Sequence, residues 1–168
     1  VRGNYSHKIY DLVGRVVYEI DQERNVTGYK YNAHGEQIEM RRYAAVVDIV
    51  PGQPLERETF EQLLLPSEYD RVLTTRYDNR GNKTQISQAG DTRLTDFGYN
   101  AFGELVFERV FLSGDRPEGA ERDPRDSSWD SGTYAFTHHF YDKAGRRVAT
   151  IDPMRYATTW SYSAAGEV

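Results

Sequence analysis

The sequence contains no cysteine, which excludes disulfides and cysteine-ligated metal sites from this chain of 168 residues. It also has no apolar run close to the roughly 20 residues that a membrane-spanning helix requires. Positive charge is not in excess either: 21 Lys and Arg stand against 26 Asp and Glu, for a net charge of −5. Since nonspecific nucleic-acid binding needs a basic surface, we expect no nucleic-acid partner and no membrane span.

Hydrophobic residues are also scarce, at 38% of the chain, and the mean hydropathy is −0.75. Aromatic residues partly make up for this, with 13 Tyr, 7 Phe and 2 Trp. Aromatic side chains bury a large area while keeping a polar group, and they are enriched in strands. The composition therefore favours a folded β-sheet over a helical bundle or a disordered chain.

A short motif occurs six times: a Tyr followed at once by Asp, Asn or Ser, with Gly three residues after that polar residue. Its copies are Tyr10-Asp11-x-x-Gly14, Tyr31-Asn32-x-x-Gly35, Tyr77-Asp78-x-x-Gly81, Tyr99-Asn100-x-x-Gly103, Tyr141-Asp142-x-x-Gly145 and Tyr162-Ser163-x-x-Gly166. Successive tyrosines are 21, 46, 22, 42 and 21 residues apart, which is one or two units of similar length. A fixed period of this size indicates a repeat architecture.

The motif has the chemistry of a tight turn. A type I turn favours Asp, Asn or Ser at its first position and Gly at its fourth. We expect the polar side chain to accept hydrogen bonds from backbone N–H groups of the turn, and the Gly to adopt a left-handed conformation. We expect the six tyrosines to stack. These 18 residues are the predicted structural site.

The residues before each turn alternate as in a strand. Four copies place Thr, an aromatic ring and Tyr at every second position, as in Thr27-x-Tyr29-x-Tyr31 and Thr137-x-His139-x-Tyr141. Such trios lie on one face of a strand, so we expect them to stack into cross-strand ladders, with a wetter opposite face. Second turns are predicted at Asp21–Arg24, at 89–91 and at Asp152–Arg155. Each unit is then two antiparallel strands and two turns, an all-β fold.

Two kinds of turn alternate along the chain. The copies at Tyr10, Tyr77 and Tyr141 carry Tyr-Asp, whereas the other three carry Tyr-Asn-Ala or Tyr-Ser-Ala with Glu after the Gly. A longer connection follows each of the first two pairs. We therefore predict one array of repeats over residues 1–168, with insertions at about 44–70 and about 112–133.

The two insertions differ in composition. The first contains the only credible helix, at 55–65, where Leu55, Phe60, Leu63 and Leu64 could pack on the sheet. The second is rich in Asp, Pro, Ser and Gly and is predicted to be an irregular loop anchored by Trp129.

The sequence contains no strong candidate for a catalytic or metal-binding site. His138 and His139 point to opposite faces of a strand and cannot bind one metal together, so His139 is interpreted as a packing ring. Asp123, Asp126 and Asp130 lack the ligand spacing of an EF-hand calcium loop. No nucleophile motif or phosphate-binding loop is present. We expect no catalytic residues, no cofactor and no metal site, and the protein is predicted not to be an enzyme.

The repeated unit resembles the YD repeat, also called the RHS repeat. The segment that matches best runs from Tyr141-Asp142-Lys143-Ala144-Gly145-Arg146 to Asp152-Pro153 and on to Tyr162. The resemblance implies antiparallel β-hairpin repeats that form a curved sheet strip, part of a hollow shell, with one short inserted helix. The family includes bacterial RHS and polymorphic toxins, shell components of insecticidal toxin complexes, and teneurins.

In the toxins of this family the shell encloses a C-terminal effector domain. The resemblance therefore implies a structural wall segment whose partners are flanking repeats and an enclosed C-terminal toxin or effector domain of the same longer protein. It also implies a secreted or cell-surface bacterial protein. Family shells end in an autoproteolytic Asp-Pro-x-Gly motif, but here Met154-Arg155 follows Asp152-Pro153, so that activity is not expected.

The alternative is an extracellular module in which exposed aromatic residues bind a glycan or a cell-surface receptor.

Overall fold

A computed structural model of the chain describes residues 6–48, 55–89, 94–111, 134–163 and 166. Within these residues lie eleven strands and one helix. In chain order they are β1 (His7–Tyr10), β2 (Val16–Ile20), β3 (Asn25–Tyr31), β4 (Gln37–Val46), α1 (Arg57–Leu63), β5 (Arg71–Tyr77), β6 (Lys83–Gln88), β7 (Leu94–Tyr99), β8 (Leu105–Phe111), β9 (Tyr134–Tyr141), β10 (Arg147–Ile151) and β11 (Ala157–Thr159).

The strands form one sheet whose order follows the chain from β1 to β11. The pairs with a described register are antiparallel, so the predicted all-β architecture of consecutive hairpins is confirmed. The chain divides into two compact units. Unit 1 contains β1 to β4, α1 and most of β5, and unit 2 contains most of β6 and β7 to β11. The single array over residues 1–168 and its closure into a hollow shell stay predictions.

Unit 1 has an apolar core between its sheet and the helix. Ile20, Val26 and Phe60 are fully buried. Phe60 lies on α1, and its ring contacts the ring of Tyr18 edge to face, with centroids 5.2 Å apart. The neighbouring strands β2 and β3 contribute Ile20 and Val26 to this core, and the two residues are cross-strand partners. Burying such side chains is worth about 1.5–3 kcal/mol each, so this contact holds α1 on the sheet.

The helix is shorter than the sequence predicts, covering Arg57–Leu63 within the predicted range 55–65. Phe60 and Leu64 are buried and Leu55 packs beside them, but Leu63 is 52% exposed, so its predicted place on the sheet is wrong. The chain turns to extended conformation at Leu64, with φ −86° and ψ 111°. That change directs Leu64 towards the core and leaves Leu63 in solvent.

The expectation of a wetter face opposite the trios is wrong in unit 1. On β3 the trio residues Thr27, Tyr29 and Tyr31 are half-buried, whereas Val26 on the opposite face is fully buried. The reason is the helix, since the buried cluster that includes Val26 packs against α1. Lys30, also on that face, is exposed near the turn.

Unit 2, like unit 1, buries charge as well as apolar surface. On β8, Phe107, Arg109 and Phe111 alternate along one face and are buried. Arg109 pairs with Asp96, its cross-strand partner on β7, and Asp96 accepts a second bond from the side-chain amide of Gln85 at 3.0 Å. The three charged or polar groups thus form a row across β6, β7 and β8.

The prediction that the trios stack directly on one another across strands is wrong. Each hairpin places a second strand between two trios, so Phe97 on β7 lies opposite Glu108, and Glu108 lies opposite Thr137. His139 is paired with Thr150. Strand alternation explains the difference: trios occupy every other strand. The loop predicted around 112–133, with Trp129 and its three aspartates, lies outside the described residues.

Candidate functional site

The six repeated turns share one backbone geometry. In each, the N–H of the Gly donates to the carbonyl oxygen of the first turn residue at 2.9–3.1 Å, as Gly14 does to Asp11. All six glycines have positive φ, between 76° and 86°. This left-handed conformation strains residues with a Cβ, which explains why Gly occupies the position.

The polar side chain at the first turn position caps the turn. Asp11 Oδ1 accepts from the backbone N–H of Val13 at 3.1 Å and of Arg15 at 2.8 Å. The same two bonds, to the second and fourth residues onward, are made by Asn32, Asp78, Asn100 and Asp142. For Ser163 the structure gives the backbone bond from Gly166, at 2.9 Å.

The residue after the Gly differs between the two kinds of turn. After a Tyr-Asp turn it is a donor to the second carboxylate oxygen: Arg15, Asn82 or Arg146, at 2.7–3.0 Å. After a Tyr-Asn turn it is an acceptor, so the amide of Asn32 donates to Glu36 and that of Asn100 to Glu104. Each of these five turns thus completes its own cap with a side chain of complementary hydrogen-bonding type.

An arginine joins the two hairpins of a pair. The Cζ of Arg15 lies 4.7 Å from the ring centroid of Tyr31, and its Nη1 donates to the carbonyl of Asn32 at 3.4 Å. At the far end of the chain Arg146 makes the same set of contacts with Tyr162 and Ser163, again at 4.7 Å and 3.4 Å. A guanidinium can stack on a ring and form an ion pair at once. Each arginine therefore ties a Tyr-Asp turn to the turn that follows.

The middle pair is joined from a different position. Asn82 stands where the other pairs have arginine, and Arg80, inside the turn, donates to the carbonyl of Ala101 at 2.8 Å. The alternation of turn types in the sequence therefore corresponds to pairs of hairpins, each with a forward-reaching arginine. Sequence reasoning missed this role. The Arg after Gly14 and Gly145 was the available signal, but its partner 16 residues further on depends on strand pairing.

Three motif tyrosines bond backwards to the preceding hairpin. The hydroxyls of Tyr31, Tyr141 and Tyr162 donate at 2.8–2.9 Å to carbonyls at the start of the strand before, those of Val16, Leu105 and Arg147. Each acceptor stands two residues after a motif Gly. Tyr31 and Tyr162 thus have a hydrogen bond and an arginine contact, and Tyr141 has a hydrogen bond, while the stacking of the six tyrosines stays a prediction. Tyr10, on β1, is 53% exposed.

The predicted closing turns use the same geometry without Gly. At Asp21 and Asp152 the side chain accepts from the N–H groups two and four residues onward, at 2.8–2.9 Å. The left-handed position is held by Arg24 at φ 69° and Arg155 at φ 67°. The third closing turn, at 89–91, falls mostly outside the described residues.

Hydrogen bonds and nearby positive charge lower the pKa of the turn carboxyls and so favour their ionised form. For Asp142, the backbone N–H and then the guanidinium of Arg146 lower the carboxyl pKa. For Asp78, the side-chain amide of Asn82 is the largest cause of the lowered pKa. Partial desolvation raises the pKa of Asp11, but bonds from the backbone and side chain of Arg15 outweigh it, and the pKa is lowered. Burial raises the pKa of the Tyr99 hydroxyl.

The histidine pair shows no arrangement for metal binding. His139 lies beside Thr150, with Nδ1 and Oγ1 2.9 Å apart, while His138 stacks on Phe136 on the opposite face. Burial, and then the charge of Arg147, lower the pKa of His139. In the part of the chain that the structure describes, no group of three or more His, Asp or Glu could hold a metal ion. No helix in that part is long and apolar enough to cross a membrane.

A shallow groove lies beside the first turn of two hairpin pairs. In unit 1 it has a volume of about 450 Å³ and is lined by Tyr29, Tyr31 and the turn of Asp11. In unit 2 a groove of about 510 Å³ is lined by Phe97, Tyr99 and the turn of Asp78. The trios thus contribute aromatic rings to the lining of both grooves.

Comparison with known proteins gives a likeness in fold. No family model matches the sequence, and no curated protein does. Three crystal structures match with a TM-score of 0.62 and 13% identity over 94% of this chain: TcdB2-TccC3, the same protein without its hypervariable C-terminal region, and TcdB2-TccC3-Cdc42. This chain spans 7% of the length of each of those chains. The hairpin strip described above is therefore a fold found within TcdB2-TccC3.

Proposed function

We propose that this chain is a structural wall segment of an RHS-type shell that encloses a C-terminal toxin or effector domain of the same protein. The observation that carries the proposal is the sheet itself: in the described residues, eleven strands follow one another in chain order and are connected by one repeated turn. The likeness to TcdB2-TccC3, a toxin-complex protein, supports it.

The contacts between hairpins suit a wall. Each described pair is tied forward by an arginine, and three tyrosine hydroxyls tie a hairpin to the one before it. Such nearest-neighbour contacts let a strip extend by adding units, as in other repeat proteins. The function proposed is physical separation of the enclosed domain from its surroundings, without catalysis, in a bacterial protein that is secreted or displayed at the cell surface.

Limited proteolysis of the full-length protein tests the proposal. The C-terminal domain should survive a protease that digests the same domain expressed alone. A matched variant with Gly103→Pro and Gly145→Pro should open the wall, because Pro cannot adopt the positive φ of these turns. Rapid digestion of the C-terminal domain in the intact protein would contradict enclosure.

The second candidate is a glycan-binding module, favoured by the grooves that contain Tyr29 and Phe97. Aromatic rings bordered by Asp, Asn and Arg are suited to sugar rings and their hydroxyls. A glycan array would support this alternative if binding disappeared in Tyr29→Ala and Phe97→Ala variants. A blank array would count against it.

A further inference from the structure

Two arginines of unit 1 lie directly opposite each other on neighbouring strands. Arg42 on β4 and Arg71 on β5 are cross-strand partners, and both are exposed. Directly opposite residues share a face of the sheet, with Cβ atoms about 4.5–5.5 Å apart, so two like charges there repel each other and destabilise the pair. In the part of the chain that the structure describes, neither guanidinium has a hydrogen bond or an ion pair.

The other pairs of charged residues across strands have opposite signs. Among the described registers, three further positions place two charged residues opposite each other: Lys8 with Glu19, Lys30 with Glu39, and Asp96 with Arg109. Each of these three forms an ion pair. The pairing of Arg42 with Arg71 is therefore an exception among the described registers, and it leaves two positive charges without a counter-charge.

The carboxylate next to Arg71 in the chain is bonded elsewhere. Asp70 has a side chain only 1% exposed, and it accepts from the guanidinium of Arg41 at 3.0 Å. It also accepts from the backbone N–H groups of Ala44 at 3.0 Å and Ser67 at 3.1 Å. Asp70 thus fixes the start of β5 against β4 and has no capacity left to neutralise the arginine pair.

Two further carboxylates on this side of the unit are also engaged. Asp21 accepts from the backbone N–H and the side-chain amide of Asn25. That amide is the largest cause of the lowered pKa of Asp21, and the charge of Arg42 contributes less. Glu19, two strands from Arg42 on the same row of partners, pairs with Lys8. The arginine pair therefore keeps its net positive charge.

A groove of about 370 Å³ lies at the pair and is lined by Arg42, Ala44, Tyr69 and Arg71. Tyr69 is 77% exposed, and its backbone is held in a turn, because its N–H donates to Oγ of Ser67 at 3.1 Å. The groove therefore combines two guanidinium groups with a phenol hydroxyl on a backbone that hydrogen bonds hold in place.

We propose that this groove binds a phosphate group, with Arg42 and Arg71 donating to separate oxygens and the hydroxyl of Tyr69 as a third donor. The planar fork of N–H groups on a guanidinium matches the oxygens of phosphate. A phosphate monoester carries a charge of about −1.5 to −2 at pH 7 and so offsets both arginines, whereas a carboxylate offsets one. The inference goes beyond enclosure and does not depend on it.

Titration of the chain with inorganic phosphate, followed by amide NMR at constant ionic strength, tests the inference. The amides of Ala44 and Tyr69 should shift and saturate, with a Kd of about 1–10 mM for an exposed site. Acetate should bind about fivefold more weakly or less. Phenyl phosphate, titrated in parallel, distinguishes the source: tighter binding than phosphate assigns the groove to a phosphorylated organic ligand, and weaker binding assigns it to the free ion.

Variants separate the groove from general charge effects. Arg42→Gln and Arg71→Gln should each weaken phosphate binding about tenfold, since each removes charge-assisted hydrogen bonds. Arg76→Gln is the matched control: Arg76 is an exposed arginine on the same strand that does not line the groove, and its substitution should change the Kd less than about twofold. In chloride alone, Arg71→Gln should melt no lower than the wild type, because the repulsion is removed.

Two results would overturn the inference. In one, the amides of Ala44 and Tyr69 show no saturable shift with phosphate. In the other, Arg76→Gln weakens binding as much as Arg71→Gln, so that phosphate responds only to the overall charge of the chain. Neither result bears on whether the full-length protein encloses a domain, because proteolysis tests that separately.

Discussion

The two units use the same turn for different interiors. Unit 1 covers one face of its sheet with α1 around the buried Phe60, and it also buries Asp70, which pairs with Arg41 at 3.0 Å. Unit 2 buries Phe107 and Phe111 around a charged pair, Arg109 and Asp96. The repeated turn sets the path of the backbone, and the residues between turns build interiors that differ in whether a helix covers the sheet and in where the charged pair lies.

Phe60→Ala should cause the largest loss. Phe60 is fully buried and makes the ring contact that connects α1 to Tyr18. Removing such a side chain costs about 3–5 kcal/mol in transfer and cavity terms. Chemical denaturation, with hydrogen exchange at β2 and β3, measures the loss. The control is Leu63→Ala on the same helix: Leu63 is 52% exposed, and its substitution should cost under about 0.5 kcal/mol. Equal losses in both variants would contradict the described packing of α1.

Arg109→Met should be the most damaging change to the interior of unit 2. It leaves Asp96 largely buried beside Gln85 without its guanidinium partner, and breaking a buried pair from one side costs about 3 kcal/mol or somewhat more. The double variant Asp96→Val with Arg109→Met should recover much of the stability, because two apolar residues leave no unpaired charge. If the double variant were no more stable than Arg109→Met alone, the unpaired buried charge of Asp96 would not be the cause of the loss. Thermal unfolding of the three proteins measures this.

Gly98→Ala and Gly103→Ala separate packing from backbone conformation within unit 2. A Cβ at Gly98 would lie 1.7 Å from Cε1 of Phe107, so the buried ring must move, at a cost of about 1–3 kcal/mol. At Gly103 a Cβ meets nothing within 4 Å, and only the φ of 83° opposes it, which costs about 1 kcal/mol. Denaturant midpoints compare the two. Gly98→Ala combined with Phe107→Ala should lose less than the sum of the two changes, whereas Gly103→Ala should be additive with Phe107→Ala.

Most of the local structure follows from short-range chemistry, which is why the sequence predicts it. A polar residue at the start of each turn, and Gly where φ must be positive, are requirements that each turn meets by itself. The strands before the turns follow from alternation of apolar and polar residues. The closing turns at Asp21 and Asp152 lie where the sequence predicts them, although Arg24 and Arg155 occupy the left-handed position without the usual Gly signal.

What the sequence does not predict depends on register. The contact of Arg15 with Tyr31 requires two turns to lie side by side, and the pairing of Arg109 with Asp96 requires cross-strand alignment. The error over the wetter face has the same origin, because burial of Val26 depends on where α1 packs. Leu63 illustrates a shorter-range limit: a helix that ends one residue earlier or later changes which leucine is buried.

The smallest effect concerns the turns that both units share, where Asp78 in unit 2 and Asn32 in unit 1 each accept from the backbone N–H groups two and four residues onward. Because the folded-state pKa of Asp78 is lowered, its stabilising contribution is present above the unfolded pKa, near 3.9, and is lost as the pH falls through the folded value. In Asp78→Asn the amide oxygen can still accept from the N–H groups of Arg80 and Asn82, as Asn32 does in its own turn. The variant should therefore lose only a few tenths of a kcal/mol at pH 7, since the group is near the surface. Its melting temperature should fall less steeply than that of the wild type between pH 5 and pH 3. If the melting temperatures of the variant and the wild type fell equally steeply in this range, the carboxylate of Asp78 would be no better stabilised in the folded turn than in the unfolded chain. The Tyr-Asp and Tyr-Asn turns would then differ in how arginine connects their hairpins, and not in the effect of charge.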